Sequence, residues 1–456
     1  MTHSRRRFLR NVLLAGGGLA GFGGMMPGIV RLARAAGEHA SEAHYVFVYF
    51  SGGWDTLLGL DPRDPDDFPE EFIAEHRIQP GYDKLQNAPN GGALRTAGGV
   101  TFGPYIGNIL TQHVDRLAVV RGMSMDTLTH EVGRRRFLTG KPPAGLQARG
   151  SSAATWLAAR LGMDDAIPHL SVGVETYNVD QPTYASALRV TSSTDLVTLL
   201  SPATPSLDPM QDQILTQFLA SEAGCERSRH SPGLRSADAA RLRMRDMLSR
   251  ELDDLFDFRS SSLAPLVSEF AVPANDFSGP EAQALVAYQA LTHGVARCVS
   301  MLGATSLDTH FNEWARDHGP RQMRGFDAVG RLIGKLRTTP YVASDGTTQG
   351  TWLDHTTIVG FSEFMRTPLL NDRGGRDHWL CNSCFLAGGS IQPGVIGASS
   401  DVGMQPQPVS LASGAVDEAH GEVIRPEHVL RTLMVDGGIA DDEADLRVEP
   451  IAALLG

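Results

Sequence analysis

Thiols are scarce in this sequence. Its 456 residues hold four cysteines, Cys225, Cys298, Cys381 and Cys384. One C-x-x-C, Cys381-Asn382-Ser383-Cys384, without a second pair gives little support for a zinc site. No thioredoxin-like unit starts beside it, which argues against redox chemistry. A local disulfide, plain packing thiols, support for a neighbouring site and redox chemistry stay open as readings. Basic residues are also short, 40 Lys and Arg against 52 Asp and Glu, a formal charge of −12. An acidic surface argues against non-specific nucleic-acid binding. Internal repeats and low-complexity tracts are absent. So is an unbroken apolar run: Val12 to Val30 is interrupted by Gly16-Gly17-Gly18, Gly21 and Gly23-Gly24, and makes a poor permanent membrane span.

What stands at the N-terminus is an arginine cluster, Ser4-Arg5-Arg6-Arg7-Phe8-Leu9, ahead of that segment. Small residues, Ala33-Arg34-Ala35-Ala36, follow at a place suited to cleavage. Residues 1–35 therefore resemble a twin-arginine export signal, which implies a periplasmic or extracellular location and no stable membrane span after cleavage. Proteins on that route are expected to fold, and often to take up cofactors, before translocation. Cleavage removes six arginines and no acid, moving the formal charge to about −18. That balance fits a soluble exported protein, or one that holds cations.

The rest of the chain alternates strand-like and helix-like stretches. His44–Phe50, Leu117–Arg121, His169–Val174, Cys298–Ser306 and Thr356–Phe361 are short β-branched or apolar runs that read as strands. Helical periodicity is expected over Thr101–Gln112, Glu131–Thr139, Ser152–Leu161, Arg235–Phe258, Glu281–Arg297, Arg324–Arg337 and Pro426–Val435. Phe385–Gly389 and Val395–Gly397 read as edge strands or a hairpin. Asp61–Gly99 is rich in Pro, Gly, Asp and Asn and reads as an irregular excursion. This pattern predicts an α/β three-layer sandwich with a largely parallel central sheet. It predicts a single domain over residues 43–455, with insertions at about 61–100 and 178–234.

Chemistry-bearing residues follow the strands, where open α/β sheets gather their sites. Ser51-Gly52-Gly53-Trp54-Asp55 offers a ligand or a turn cap. Thr127, Thr129 and His130 precede a helix, where a hydroxyl could attack a bound anion or simply cap the helix. Asp308-Thr309-His310 follows the fourth strand. Ser362-Glu363-Phe364-Met365-Arg366-Thr367 and Gly374-Gly375-Arg376-Asp377-His378-Trp379 follow the fifth. Carboxylates and imidazoles without converging thiolates suit one or two divalent ions: zinc, manganese, magnesium or calcium. The expected ligands are Asp55, Asp308, His310, Glu363, Asp377 and His378. Arg366 and Arg376 are suited to bind an anionic ester.

Ser362 to Thr367 with Gly375 to Trp379, the earlier Asp308-Thr309-His310, Gly52-Gly53-Trp54-Asp55 and the twin-arginine leader resemble the signature of a bacterial secreted family, domain of unknown function 1501. That family is similar to the alkaline phosphatase and sulfatase superfamily. The resemblance implies an alkaline phosphatase-like sheet between helical layers and a metal-dependent hydrolytic site for phosphate or sulfate esters. The matching nucleophile is Thr129, or in second place Thr127 or Ser124, with Arg366 neutralising the transferred group. Where the superfamily shows Asp-His after a late strand, this chain has Ser362-Glu363-Phe364, one imidazole fewer. No Cys-x-Pro-x-Arg run is present, so formylglycine sulfatase chemistry is not implied. The alternative is a non-catalytic envelope or scaffold protein that keeps the fold and works with a co-secreted partner.

Overall fold

The computed structural model describes residues 42–456, except 146, 202–207, 209, 212, 216, 219–251 and 344–345. The leader lies outside the described residues, as does most of the helix expected over Arg235–Phe258. Among the described residues the central sheet has eight strands. They are β1 (His44–Phe50), β2 (Leu117–Ser124), β3 (His169–Val172), β4 (Leu188–Val190), β5 (Cys298–Ala304), β6 (Thr356–Phe361), β7 (Cys381–Gly388) and β8 (Gly394–Ile396). Their order across the sheet is β8-β2-β7-β6-β1-β5-β3-β4. Every neighbouring pair is parallel except the two that involve β7. The expected three-layer α/β architecture with a largely parallel sheet is what the chain adopts.

The period-2 geometry of β1 explains the layers. Val46, Val48 and Phe50 face one core cluster, and Tyr45, Phe47 and Tyr49 face the other. Over the first lie α3 (Pro280–Thr292) and α4 (Gly319–Thr338), and over the second lie α1 (His130–Thr139), α2 (Ala153–Leu161) and α5 (Pro426–Asp436). Both faces of β1 are therefore apolar, as a central parallel strand requires. Each fully buried large apolar side chain contributes about 1.5–3 kcal/mol.

β7 departs from the sequence-based expectation. It lies between β2 and β6 as an interior antiparallel strand, not at an edge. Its first residue, Cys381, packs in one core layer and Cys384 in the other, across a register shift. Both thiols are buried and free, and burial pushes both above the usual thiol range. They are packing residues, not a disulfide. The helix expected over Thr101–Gln112 is also absent. Val100–Phe102 pairs as a strand with Arg95–Ala97, and only Leu110–Arg116 winds into a 3-10 helix. Pro104 and Gly107, the latter at φ +88°, interrupt the stretch despite its apolar spacing. Among the described residues, no helix is long and apolar enough to cross a membrane.

Topology decides where the polar loops go. β1, β5 and β6 are parallel, Tyr49 opposite Phe361 and, past a register shift after Tyr49, Phe50 opposite Ala304. Their C-terminal ends share one edge. β7 runs the other way, so its beginning lies at that edge, with Ser124 at the end of β2 opposite Cys381. The segment before β7, which carries Asp377 and His378, is thereby delivered to the loops that follow β1, β2, β5 and β6.

Candidate metal centre

The loop after β1 makes the approach possible. Gly52 and Gly53 have φ of +112° and +76°. A Cβ at Gly52 would lie 2.7 Å from the backbone nitrogens of Leu307 and Asp308, and one at Gly53 would lie 2.6 Å from the Phe364 ring. Glycine thus removes both the conformational and the steric obstacle. The Gly52 N–H donates to Glu363 Oε1 at 2.9 Å. Helix α1 approaches the same glutamate closely, because a Cβ at Gly133 would lie 2.3 Å from the Glu363 carbonyl oxygen.

Three imidazoles surround one carboxylate oxygen. Asp308 Oδ1 lies 3.3 Å from His130 Nε2, 3.0 Å from His310 Nε2 and 3.2 Å from His378 Nε2. Each ring is held from behind through its other nitrogen. His130 Nδ1 is 2.7 Å from Glu363 Oε1, and His310 Nδ1 is 2.7 Å from Asp377 Oδ1. His378 Nδ1 is 2.6 Å from the carbonyl oxygen of Leu128. A carbonyl can only accept, so Nδ1 of His378 carries the proton and its Nε2 presents a lone pair when the ring is neutral. Burial lowers the pKa of His378, which favours that neutral form.

The donors fit a cation. His310 Nε2 and His378 Nε2 are 3.0 Å apart, beside a carboxylate. Donor atoms around a tetrahedral ion at 2.0–2.1 Å stand about 3.4 Å from one another. Uncharged rings backed by carboxylates or a carbonyl are the usual support of metal-ligating histidines. His130, Asp308 and His378 each place a ligand atom within 4.8 Å of the others. The cluster is open to solvent on the Asp308 side, whose side chain is 48% exposed.

Charge is arranged around it. Burial disfavours the Asp308 carboxylate, but the Arg366 guanidinium at 2.5 Å, with His378 and His130, holds it well below the usual range. Burial likewise opposes ionisation of Glu363, which is 1% exposed, and the His130 contact outweighs it. The same contact raises the pKa of His130 against its own burial. Asp377 is lowered, with burial opposing and bonds from His310 and Asn371 prevailing.

The sequence-predicted residues divide by position. Asp308, His310 and His378 present atoms to the common point. Glu363 and Asp377 stand one layer behind, each bonded to an imidazole. Asp55 is outside the convergence. Its buried carboxylate lies 3.0 Å from Arg376 Nε and accepts from Trp314 Nε1 at 2.8 Å and from the Leu57 N–H at 3.1 Å. Arg376 stacks on Trp314 and donates to the carbonyls of Gln79, Pro80 and Thr367. Arg366 is fully buried, with its guanidinium bonded to Asp308 and to the carbonyls of Gly52, Gly53 and Arg376. Thr129 is exposed at the start of α1, next to His130. His130 is the residue that the sequence-based ligand set lacked. Its ring stands between Glu363 and Asp308. Its one signal was its place after a strand and before a helix.

No curated protein matches the sequence. Among solved structures, the lipoteichoic acid synthase LtaP from Listeria monocytogenes is similar at 8% identity over 93% of this chain and 82% of that one, with a TM-score of 0.36. The model of a family described as "Protein of unknown function (DUF1501)" matches residues 42–413. The chain belongs to the DUF1501 family.

Proposed function

We propose that this chain is an exported, metal-dependent hydrolase of phosphate or sulfate esters, with one divalent ion held by His130, Asp308, His310 and His378. The observation that carries the reading is the convergence of three back-bonded imidazoles on Asp308 Oδ1. Nitrogen and carboxylate donors without thiolate suit zinc or manganese. A divalent cation in such surroundings supplies charge neutralisation at an ester oxygen and a nucleophile at neutral pH. The protein's own contribution is orientation. Glu363 and Asp377 set the outward-facing nitrogen of His130 and His310, and Arg366 fixes Asp308. The hydroxyl of exposed Thr129, the residue before His130, is the candidate to form a transient bond to phosphorus or sulfur.

The test is metal content of the purified protein, joined to a screen of phosphomonoester, phosphodiester and sulfate ester substrates. The expected result is one ion per chain and turnover that is lost in His378→Ala and reduced in Thr129→Ala. Absence of metal sinks the reading.

A specific observation favours a second reading, a non-catalytic protein with a bound cation. Both buried arginines near the centre, Arg366 and Arg376, are engaged by protein carbonyls and carboxylates. Stoichiometric metal with no turnover of any ester class would select that reading.

A further inference from the structure

Thr309 stands between two residues of the donor cluster, Asp308 and His310. It is buried, and its hydroxyl lies 2.7 Å from His318 Nδ1. The other ring nitrogen of His318, Nε2, accepts from the Asp55 N–H at 3.0 Å, a donor shared with Gln322 Oε1 at 2.9 Å. An N–H can only donate. Nε2 of the neutral ring therefore presents its lone pair, and Nδ1 carries the proton and donates it to Thr309 Oγ1. His318 is wholly buried, and burial, with Arg366 nearby, holds its pKa well below the usual range, which keeps the ring neutral.

An uncommon turn delivers this ring. Trp314–His318 is a single turn of π-helix that runs directly into α4. Such turns are rare and occur frequently at functional sites. Its first and last side chains, Trp314 and His318, are both wholly buried and both reach Asp55, Trp314 at the carboxylate and His318 at the peptide N–H. The Thr309 carbonyl accepts from the Arg376 N–H at 3.1 Å. A Cβ on Gly375 would lie 2.3 Å from the His310 carbonyl carbon. The segment with Asp308 and His310 is thus in backbone contact with the one that carries Asp377 and His378. His318 ties the first of these segments to the loop after β1.

We infer that His318 is a positioning residue of the metal centre, acting through the Thr309 hydroxyl to set Asp308 and His310 against His378. The inference rests on the metal-centre reading above. Site residues work when buried, hydrogen-bonded supports hold them within about 0.5 Å of their productive places. Without the hydroxyl, the Nδ1–H of His318 is left in the core with no acceptor, so the ligand segment is no longer held there.

The experiment is competition for Zn(II) against a coloured chelator, with the visible spectrum of the Co(II)-loaded protein, on the purified protein and its variants. Thr309→Val keeps the shape of threonine without the hydroxyl, and Thr309→Ser keeps the hydroxyl. The valine variant is expected to bind Zn(II) at least about tenfold more weakly, with an altered Co(II) spectrum, and the serine variant to restore both. His318→Asn, whose amide nitrogen falls near the place of Nδ1, should keep the parent spectrum. His318→Gln, whose amide falls near Nε2 instead, should not, and this pair decides if the valine variant does not fold. Parent affinity and spectrum in Thr309→Val, whatever its thermal midpoint, overturn the inference alone. So does a spectrum altered equally in Thr309→Ser, or equal spectra in the two His318 variants. Failure of the parent protein to bind Zn(II) or Co(II) overturns the metal reading, and the inference falls with it.

Discussion

His310 Nε2 and His378 Nε2 face each other at 3.0 Å, although the opposite nitrogen of each ring is bonded to an oxygen. Asp308 Oδ1 lies 3.0 and 3.2 Å from the two nitrogens, and Arg366 Nη1 lies 3.4 Å from His310 Nε2, so one fixed positive charge already stands beside the pair. A divalent ion held there, as proposed above, would bind the folded state alone.

Divalent metal should stabilise the fold. At a free metal concentration a hundredfold above Kd, binding to the folded state alone contributes about 2.7 kcal/mol. Thermal unfolding with and without a chelator measures this. His378→Ala should abolish the difference. An identical unfolding midpoint in the two conditions would sink the metal assignment.

Glu363 and Asp377 should act on metal affinity through the rings they hold. Removing such a supporting carboxylate typically weakens metal binding 10–100-fold. Glu363→Gln and Asp377→Asn are therefore expected to lose affinity by factors of that size, read by competition with a coloured chelator. A Co(II) spectrum altered in Glu363→Gln would show that the ring geometry, and not only stability, has changed. Unchanged affinity in both variants would remove them from the centre.

Asp55 and Arg376 make the opposite prediction. Their side chains are both wholly buried and 3.0 Å apart. Removing one partner strands the other charge in the core, at a cost of about 3–5 kcal/mol. Asp55→Ala should lower stability in urea by that order. Under conditions where it remains folded, it should keep its metal. Loss of metal in a folded Asp55→Ala protein would return Asp55 to the ligand set.

Two histidines far from the centre set an acid limit. His44 and His169 are buried, and burial pushes each down to about 3. Below pH 6.5 the unfolded chain binds protons at these positions and the folded chain does not. Their contribution is thus fully present above pH 6.5 and is lost as pH falls toward 3, on the order of several kcal/mol each at the lower end. Denaturant unfolding at pH 7, 5 and 4 should show this decline. His169→Gln should flatten it. An equal slope in that variant would exclude His169 as a source.

Much of the frame was legible in the linear pattern. Runs such as His44–Phe50 and Thr356–Phe361 are apolar on both faces, so burial between two helical layers followed from their composition. The expected helix over Thr101–Gln112 failed because apolar spacing says nothing against a proline and a positive-φ glycine in its path. Of the two runs expected as edge strands or a hairpin, Val395–Gly397 does lie at an edge, while Phe385–Gly389 falls in an interior strand, because pairing partners are chosen by the whole sheet, not by the strand.

The sequence by itself determined that acids and imidazoles would collect after strands, on a chain whose acidity argues against non-specific nucleic-acid binding. The tertiary structure alone decided which of them face one another. Glu363 and His130 are 233 positions apart, and His310 and Asp377 are 67 apart. No local pattern records such pairings. Nor can it tell which nitrogen of a ring is tied back and which is left to a ligand. That choice depends on an acceptor brought in by another strand, and here the antiparallel β7 brings His378 to the Leu128 carbonyl.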